Sequence, residues 1–197
     1  MNNNNRVFNF CFKGSRDYVH GTDIVSALLK SFDGENLKDL DLKFNGITSS
    51  NLSLLDGNDA ESAVKVNIRV TLAGEPKVMQ LVENDEKIDC RYEYDEDKII
   101  KQTELDLGEQ QIQLTKATDY TLCENFVAMN KYLLQTLYPD AEGKWYFTRL
   151  EQKKLIDDAA LIRVKLIKNF NFRLVKSDIF VGDEVVGSVY FSLIKGS

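Results

Sequence analysis

Polar and apolar residues alternate along residues 6 to 13, with Phe8, Phe10 and Phe12 on one side and Val7, Asn9, Cys11 and Lys13 on the other. A period of two predicts a β-strand whose three phenylalanines face the core. A turn through Gly14, Ser15 and Arg16 leads into the segment Asp17-Tyr18-Val19-His20-Gly21, after which the period changes. Ile24, Val25, Leu28, Leu29 and Phe32 recur at helical spacing, with Thr22 or Asp23 placed to cap the helix and Gly34 to stop it. A strand is expected around residues 40–47. Val64, Val66, Ile68, Val70 and Leu72 then alternate with Lys65, Asn67, Arg69 and Thr71, the pattern of a half-exposed antiparallel strand. Gly74-Glu75-Pro76 reads as a turn, and residues 78–82 and 88–94 as the next two strands of a meander.

The second half follows the same order. Ile112 and Leu114 mark a first strand, and a longer helix is predicted from near Asp119. Its apolar stripe is Phe126, Met129, Leu133, Leu134 and Leu137, and Pro139 and Gly143 end it. Trp145, Tyr146 and Phe147 open a strand, and residues 161–167, 170–175, 179–181 and 185–194 complete a second meander. Asp17-Tyr18 and Asp119-Tyr120 stand at an offset of 102 before the two helices. Asp85-Glu86 before Tyr92 and Asp183-Glu184 before Tyr190 stand at an offset of 98. The chain therefore reads as two related halves, residues 1–104 and 105–197, each one helix on an antiparallel sheet. The only histidine, His20, is in the first.

Composition narrows the function classes. The 197 residues are 43% hydrophobic and 28% charged with two prolines, so the length reads as globular; only the run Asn2 to Asn5 reads as disordered. A net charge of -6 without a basic patch argues against nucleic acid as a partner. The acids from Glu83 to Asp97 are interleaved with Ile88, Cys90, Tyr92 and Tyr94, which reads as a strand with a solvated face; the spacing of a calcium loop is absent. Cys11, Cys90 and Cys123 are odd in number and widely spaced, which implies small buried hydrophobes in a reducing compartment and not a disulfide framework. Without a signal core or an apolar run near the roughly 20 residues of a membrane span, a cytoplasmic location without a membrane span is expected. One histidine and scattered cysteines supply no zinc-ligand spacing, and no glycine-rich phosphate loop is present, so neither a metal nor a nucleotide cofactor is expected.

A helix entered from a first strand and wrapped by a curved antiparallel sheet resembles the hot-dog fold of acyl thioesterases and acyl-carrier dehydratases. Asp17-Tyr18-Val19-His20-Gly21 looks like the loop in which an Asp and a His-containing turn lead into the helix that cradles the thioester. Val181-Gly182-Asp183-Glu184-Val185 is similar to the Val-x-Gly-Asp turn of that superfamily. Two departures stand beside the likeness: the second half has Cys123 after Asp119-Tyr120-Thr121-Leu122, and neither half has the Gly-His-Phe-Pro run of bacterial dehydratases. The resemblance implies an α+β tandem, or double, hot-dog that processes acyl thioesters on coenzyme A or acyl-carrier protein, with one site at the seam between the repeats and a possible homodimer.

Within that resemblance the helix N-terminus at Gly21, Thr22 and Asp23 would bind substrate, its backbone N–H groups polarising the thioester carbonyl. A dehydratase-like reaction would use His20 as the base at the α-carbon and a carboxylic acid, Glu124, to protonate the leaving hydroxyl. A thioesterase-like reaction would use Asp17 or Glu124 to activate water or as nucleophile, with His20 orienting substrate. The structural alternatives are that Asp17 and Asp119 cap turns, that His20 is a loop residue bonded to backbone, and that Tyr18 and Tyr120 pack with a bonded hydroxyl. Cys123 at a helix start is a conceivable nucleophile, but no second histidine stands near it as base. A non-catalytic module that binds an acyl chain or a protein is the competing class. A cone-shaped α+β barrel for small molecules shares the helix-and-sheet pattern and ordinarily lacks the duplication.

Overall fold

The structure is a computed structural model that describes residues 6–58, 63–154, 156 and 161–195. The Asn2 to Asn5 run lies outside the described residues. The chain divides into two compact units, Met1–Tyr94 and Asp95–Ser197. Among the described residues no helix is long and apolar enough to cross a membrane.

The first unit contains β1 (Arg6–Phe8), β2 (Phe12–Lys13), α1 (Gly21–Ser31), β3 (Leu37–Phe44), β4 (Ser50–Asp56), β5 (Val64–Leu72), β6 (Glu75–Lys87) and β7 (Arg91–Tyr92). The helix forms where the period predicts it, burying Ile24, Val25 and Leu28, with Phe32 just past its end. The cap is His20 and not Thr22 or Asp23: its backbone is extended, and its carbonyl accepts from the N–H groups of Asp23 and Ile24. β5 matches its alternation, with Val66, Ile68, Val70 and Leu72 buried.

The expected first strand is broken in two. β1 pairs antiparallel with β4, whereas β2 leaves that sheet and pairs parallel with β7. Two long-range contacts cause the break: the Phe10 N–H donates to Asn51 Oδ1 at 2.8 Å in place of a ladder bond, and Cys11 is joined to Cys90. Only Phe10 of the three phenylalanines is buried. The disulfide corrects the expectation that the cysteines are unpaired small hydrophobes, and the cysteine count no longer supports a reducing compartment. The strand expected over residues 78–82 runs longer, as the 13-residue β6, because the tight turn at Ala73 and Gly74, both at positive φ, closes the hairpin with β5 as early as Glu75; of the strand expected over residues 88–94 only the two residues of β7 form.

The second unit contains α2 (Asp97–Ile100), β8 (Thr103–Asp106), β9 (Gln111–Leu114), α3 (Leu122–Leu137), β10 (Lys144–Lys154), β11 (Ile162–Phe170), β12 (Leu174–Val181) and β13 (Glu184–Ile194). α3 starts from a capping box in which Thr121 and Glu124 satisfy each other's backbone N–H groups. Phe126, Met129, Leu133 and Leu134 of its stripe are buried, and the helix packs on β9, β11 and β13. One row of the covered face runs Leu150, Val189, Ser177, Leu166 across neighbouring strands, all buried.

The two units share the element order β-β-α-β-β-β-β, with β7 after it in the first and α2 before it in the second, and do not share the order of strands in the sheet. In the second unit β11, β12 and β13 form a meander whose last strand pairs with β10. In the first unit β6 lies between β4 and β5, and it is β5 that pairs with β3. The correspondence at offset 98 is therefore one of letters only: Tyr92 is in the two-residue β7, and Tyr190 is in the middle of β13.

Candidate functional site

The polar groups at the start of α1 form a connected cluster inside the first unit. The β2–β7 pair is held by backbone bonds from Phe12 N–H to Cys90 O and from Gly14 N–H to Tyr92 O, both 2.9 Å, next to the Cys11–Cys90 bond. Arg91 reinforces it, donating to the carbonyls of Gly14 at 2.5 Å and Arg16 at 2.6 Å while its guanidinium lies over the Phe12 ring. This short pair delivers Lys13 and Tyr92 to the helix N-terminus. The Lys13 ammonium, wholly buried, donates to Thr22 Oγ1 and to Asp23 Oδ1, each at 3.0 Å. Tyr92 OH donates to Asp23 Oδ2 at 2.8 Å, and the Tyr94 ring lies 4.2 Å from the ammonium. A buried cation requires such company, since its desolvation is offset only by a carboxylate, hydrogen-bond acceptors and an aromatic face.

His20 joins this cluster through its ring. Its Nδ1 is 2.7 Å from Thr22 Oγ1, and the residue is half-buried. Thr22 is fully buried, so its hydroxyl links the imidazole to the ammonium. Gly21 begins the helix.

The remaining predicted residues are divided between the two units. Asp17, exposed, and Tyr18 line an open cleft of about 340 Å³ with Ile47, Thr48, Ser49, Lys65 and Glu83. Glu83 accepts from Thr48 Oγ1 at 2.6 Å and pairs with Lys65 at 3.1 Å. The Thr48 bond, opposed by burial and assisted by Lys65, holds its carboxyl below the usual range. His20 is not among the residues lining this cleft. Glu124, in the second unit, has Oε2 2.9 Å from both the backbone N–H and the hydroxyl of Thr121. Tyr120 donates its hydroxyl to Asp95 O at 2.9 Å, and Cys123 is buried. Within the first unit the structure thus brings His20, Thr22 and Asp23 together and sets Asp17 in the cleft, while in the second unit Glu124 belongs to the α3 cap.

Lys13, Tyr92, Tyr94 and the Cys11–Cys90 bond were not singled out from the sequence. Strand alternation puts Lys13 on the polar side with Asn9, and its burial follows only from the break at Cys11. The available signal was the pair of tyrosines inside the acid run, one of which meets Asp23.

No family model and no curated protein matches the chain. Solved structures do show likeness. The dehydratase domain of PpsC from Mycobacterium tuberculosis, in complex with C12:1-CoA, is similar at a TM-score of 0.49 with 9% identity, over 90% of this chain and 85% of that one. A pyran synthase domain from module nine of the sorangicin pathway is similar at 0.49 and 10%, over 98% and 93%. The tesB protein of Mycobacterium avium subs paratuberculosis is similar at 0.46 and 10%, over 95% and 91%. At the N-terminus of α1 the chain itself assembles one imidazole, one hydroxyl, one carboxylate and one buried ammonium in hydrogen-bond contact.

Proposed function

We propose that the protein processes acyl thioesters carried by coenzyme A or acyl-carrier protein, and that the working end of the first unit is the entrance to α1. The observation that carries this reading is the position of the chain's only histidine. His20 is the N-cap of α1, where the backbone N–H groups of the first turn and the positive end of the helix favour an oxygen that gains negative charge. A thioester carbonyl is such an oxygen. The ring is anchored at one nitrogen by Thr22, which is itself held by Lys13, so the imidazole is oriented before substrate arrives.

Replacing His20 by Ala tests this against 3-hydroxyacyl and saturated acyl thioesters. Turnover is expected to fall on the order of 100-fold or more, the usual worth of one positioned acid, base or oxyanion donor. The melting temperature is expected to hold, because a half-buried loop side chain adds little to the core. Turnover equal to that of the parent would remove His20 from the chemistry.

A second reading, a non-catalytic acyl-chain or protein-binding module, is favoured by the carboxylates. Asp23 is engaged by Lys13 and Tyr92, and Glu124 by the α3 cap, so both act on the fold. Binding of acyl thioesters by the parent protein without turnover of either class would decide for this reading.

A further inference from the structure

We propose that Lys13, acting through Thr22, is a positioning residue that holds His20 as the tautomer protonated at Nε2, so that the ring carries a hydrogen-bond donor and not a base at that nitrogen. This rests on the reading above only for the identity of the ligand. The argument is a proton inventory. An ammonium can only donate, so in the 3.0 Å contact between Lys13 Nζ and Thr22 Oγ1 the hydroxyl oxygen accepts. Thr22 has one proton of its own and two acceptors in reach, His20 Nδ1 at 2.7 Å and Asp23 Oδ1 at 3.3 Å. Asp23 Oδ1 is already served by Lys13 at 3.0 Å and Oδ2 by Tyr92 at 2.8 Å. The imidazole contact is shorter and is the better place for that proton.

Distance and charge agree with the count. A separation of 2.7 Å is ordinary for a hydroxyl donor and at the short limit for an N–H donor, so it suits a Thr22 O–H directed at the ring nitrogen. The ammonium polarises the hydroxyl it donates to, making the O–H a stronger donor and the oxygen a weaker acceptor for a second N–H. Nδ1 then accepts, and a neutral imidazole carries its proton on Nε2. A base at the α-carbon would need a lone pair at Nε2, which this tautomer lacks. A donor at Nε2 instead suits a hydrogen bond to the thioester carbonyl oxygen. Within the proposed function the network favours His20 as the group that orients and polarises substrate, as in the thioesterase-like scheme, over His20 as proton abstractor.

A single histidine makes the test clean, because its two ring nitrogens give one isolated pair of resonances. Long-range proton–nitrogen correlation spectra of the 15N-labelled full chain, at a pH where the ring is neutral, are expected to show Nδ1 unprotonated and Nε2 protonated. Thr22→Val, which keeps shape and removes the hydroxyl, is expected to move both resonances toward the average of mixed tautomers, and Thr22→Ser to restore the parent pattern. Lys13→Met is expected to shift them in the same sense as Thr22→Val; should that variant not fold, the two Thr22 variants decide alone. A parent spectrum with the proton on Nδ1, or a Thr22→Val spectrum unchanged from the parent, overturns the proposal. The readout is independent of turnover, so the expected spectra in a protein inactive on every acyl thioester would retire the functional reading and leave the tautomer standing.

Discussion

Removing the Cys11–Cys90 bond, by Cys90→Ser or by a dithiol reductant, should destabilise the first unit. The two cysteines are 79 positions apart, and closing a loop of that length in the unfolded chain is worth about 4.5 kcal/mol in the chain-entropy model. Native strain and residual structure in the unfolded chain reduce such figures, so a loss of roughly 2–4 kcal/mol is expected. At about 2–4 °C per kcal/mol for a chain of this size, the melting midpoint should fall on the order of 10 °C. The loss should reach the helix entrance, because the bond adjoins the two-residue β2–β7 pair that delivers Lys13 and Tyr92 to Asp23. The assay is thermal and denaturant unfolding of oxidised, reduced and Cys90→Ser protein, with a thiol count on unfolded samples. Oxidised protein should titrate one thiol, that of Cys123, and fully reduced protein all three. Three thiols in the oxidised sample, or oxidised and reduced midpoints within a degree of each other, would refute the reasoning.

Two substitutions at Glu124 separate its roles: Glu124→Ala should cost about 1 kcal/mol through loss of the capping box, while Glu124→Gln keeps an acceptor for Thr121 and should stay near the parent stability. If Glu124→Gln abolishes acyl-thioester turnover while stability holds, the carboxyl is a proton donor as well as a cap. Tyr190 gives a pH-dependent outcome, since burial first, and then its 2.6 Å hydrogen bond to Glu151, push its phenol well above the ordinary range. The unfolded chain loses this proton near the usual tyrosine value of about 10 and the folded protein keeps it, so its stabilising share is intact below about pH 10 and is lost as pH rises beyond. Tyr190→Phe should flatten the alkaline fall in unfolding free energy; an unchanged slope in that variant contradicts the assignment.

Elements whose cause is local were legible in the sequence. α1 and α3 followed from a 3.6-residue apolar stripe, and β5 from strict alternation, because their burial pattern is set by near neighbours on one face. Elements whose cause is distant were not. The break between β1 and β2 depends on Asn51 and Cys90, far along the chain, and nothing within residues 6 to 13 records it. The strand order of the first unit was hidden for a similar reason: alternation says which side of a strand is apolar and is silent on whether β5 or β6 pairs with β3.

The same division runs through the candidate site. His20 was found because a lone histidine before a helical stripe is a local signal, and its place at the helix entrance followed. What sets its chemistry is Lys13, which on alternation alone belongs with Asn9 on the polar side of a strand. Once the Cys11–Cys90 bond turns that strand out of the sheet, the lysine must be buried, and a buried ammonium must find a carboxylate and an acceptor. Asp23 and Thr22 meet that requirement from the first turn of α1, and Thr22 passes the constraint to the imidazole. The Cys11–Cys90 bond, between residues 79 positions apart, adjoins the strand pair that delivers Lys13, so on the proposed tautomer its reduction should loosen the preference for Nε2 along with the fold, read in the same nitrogen resonances.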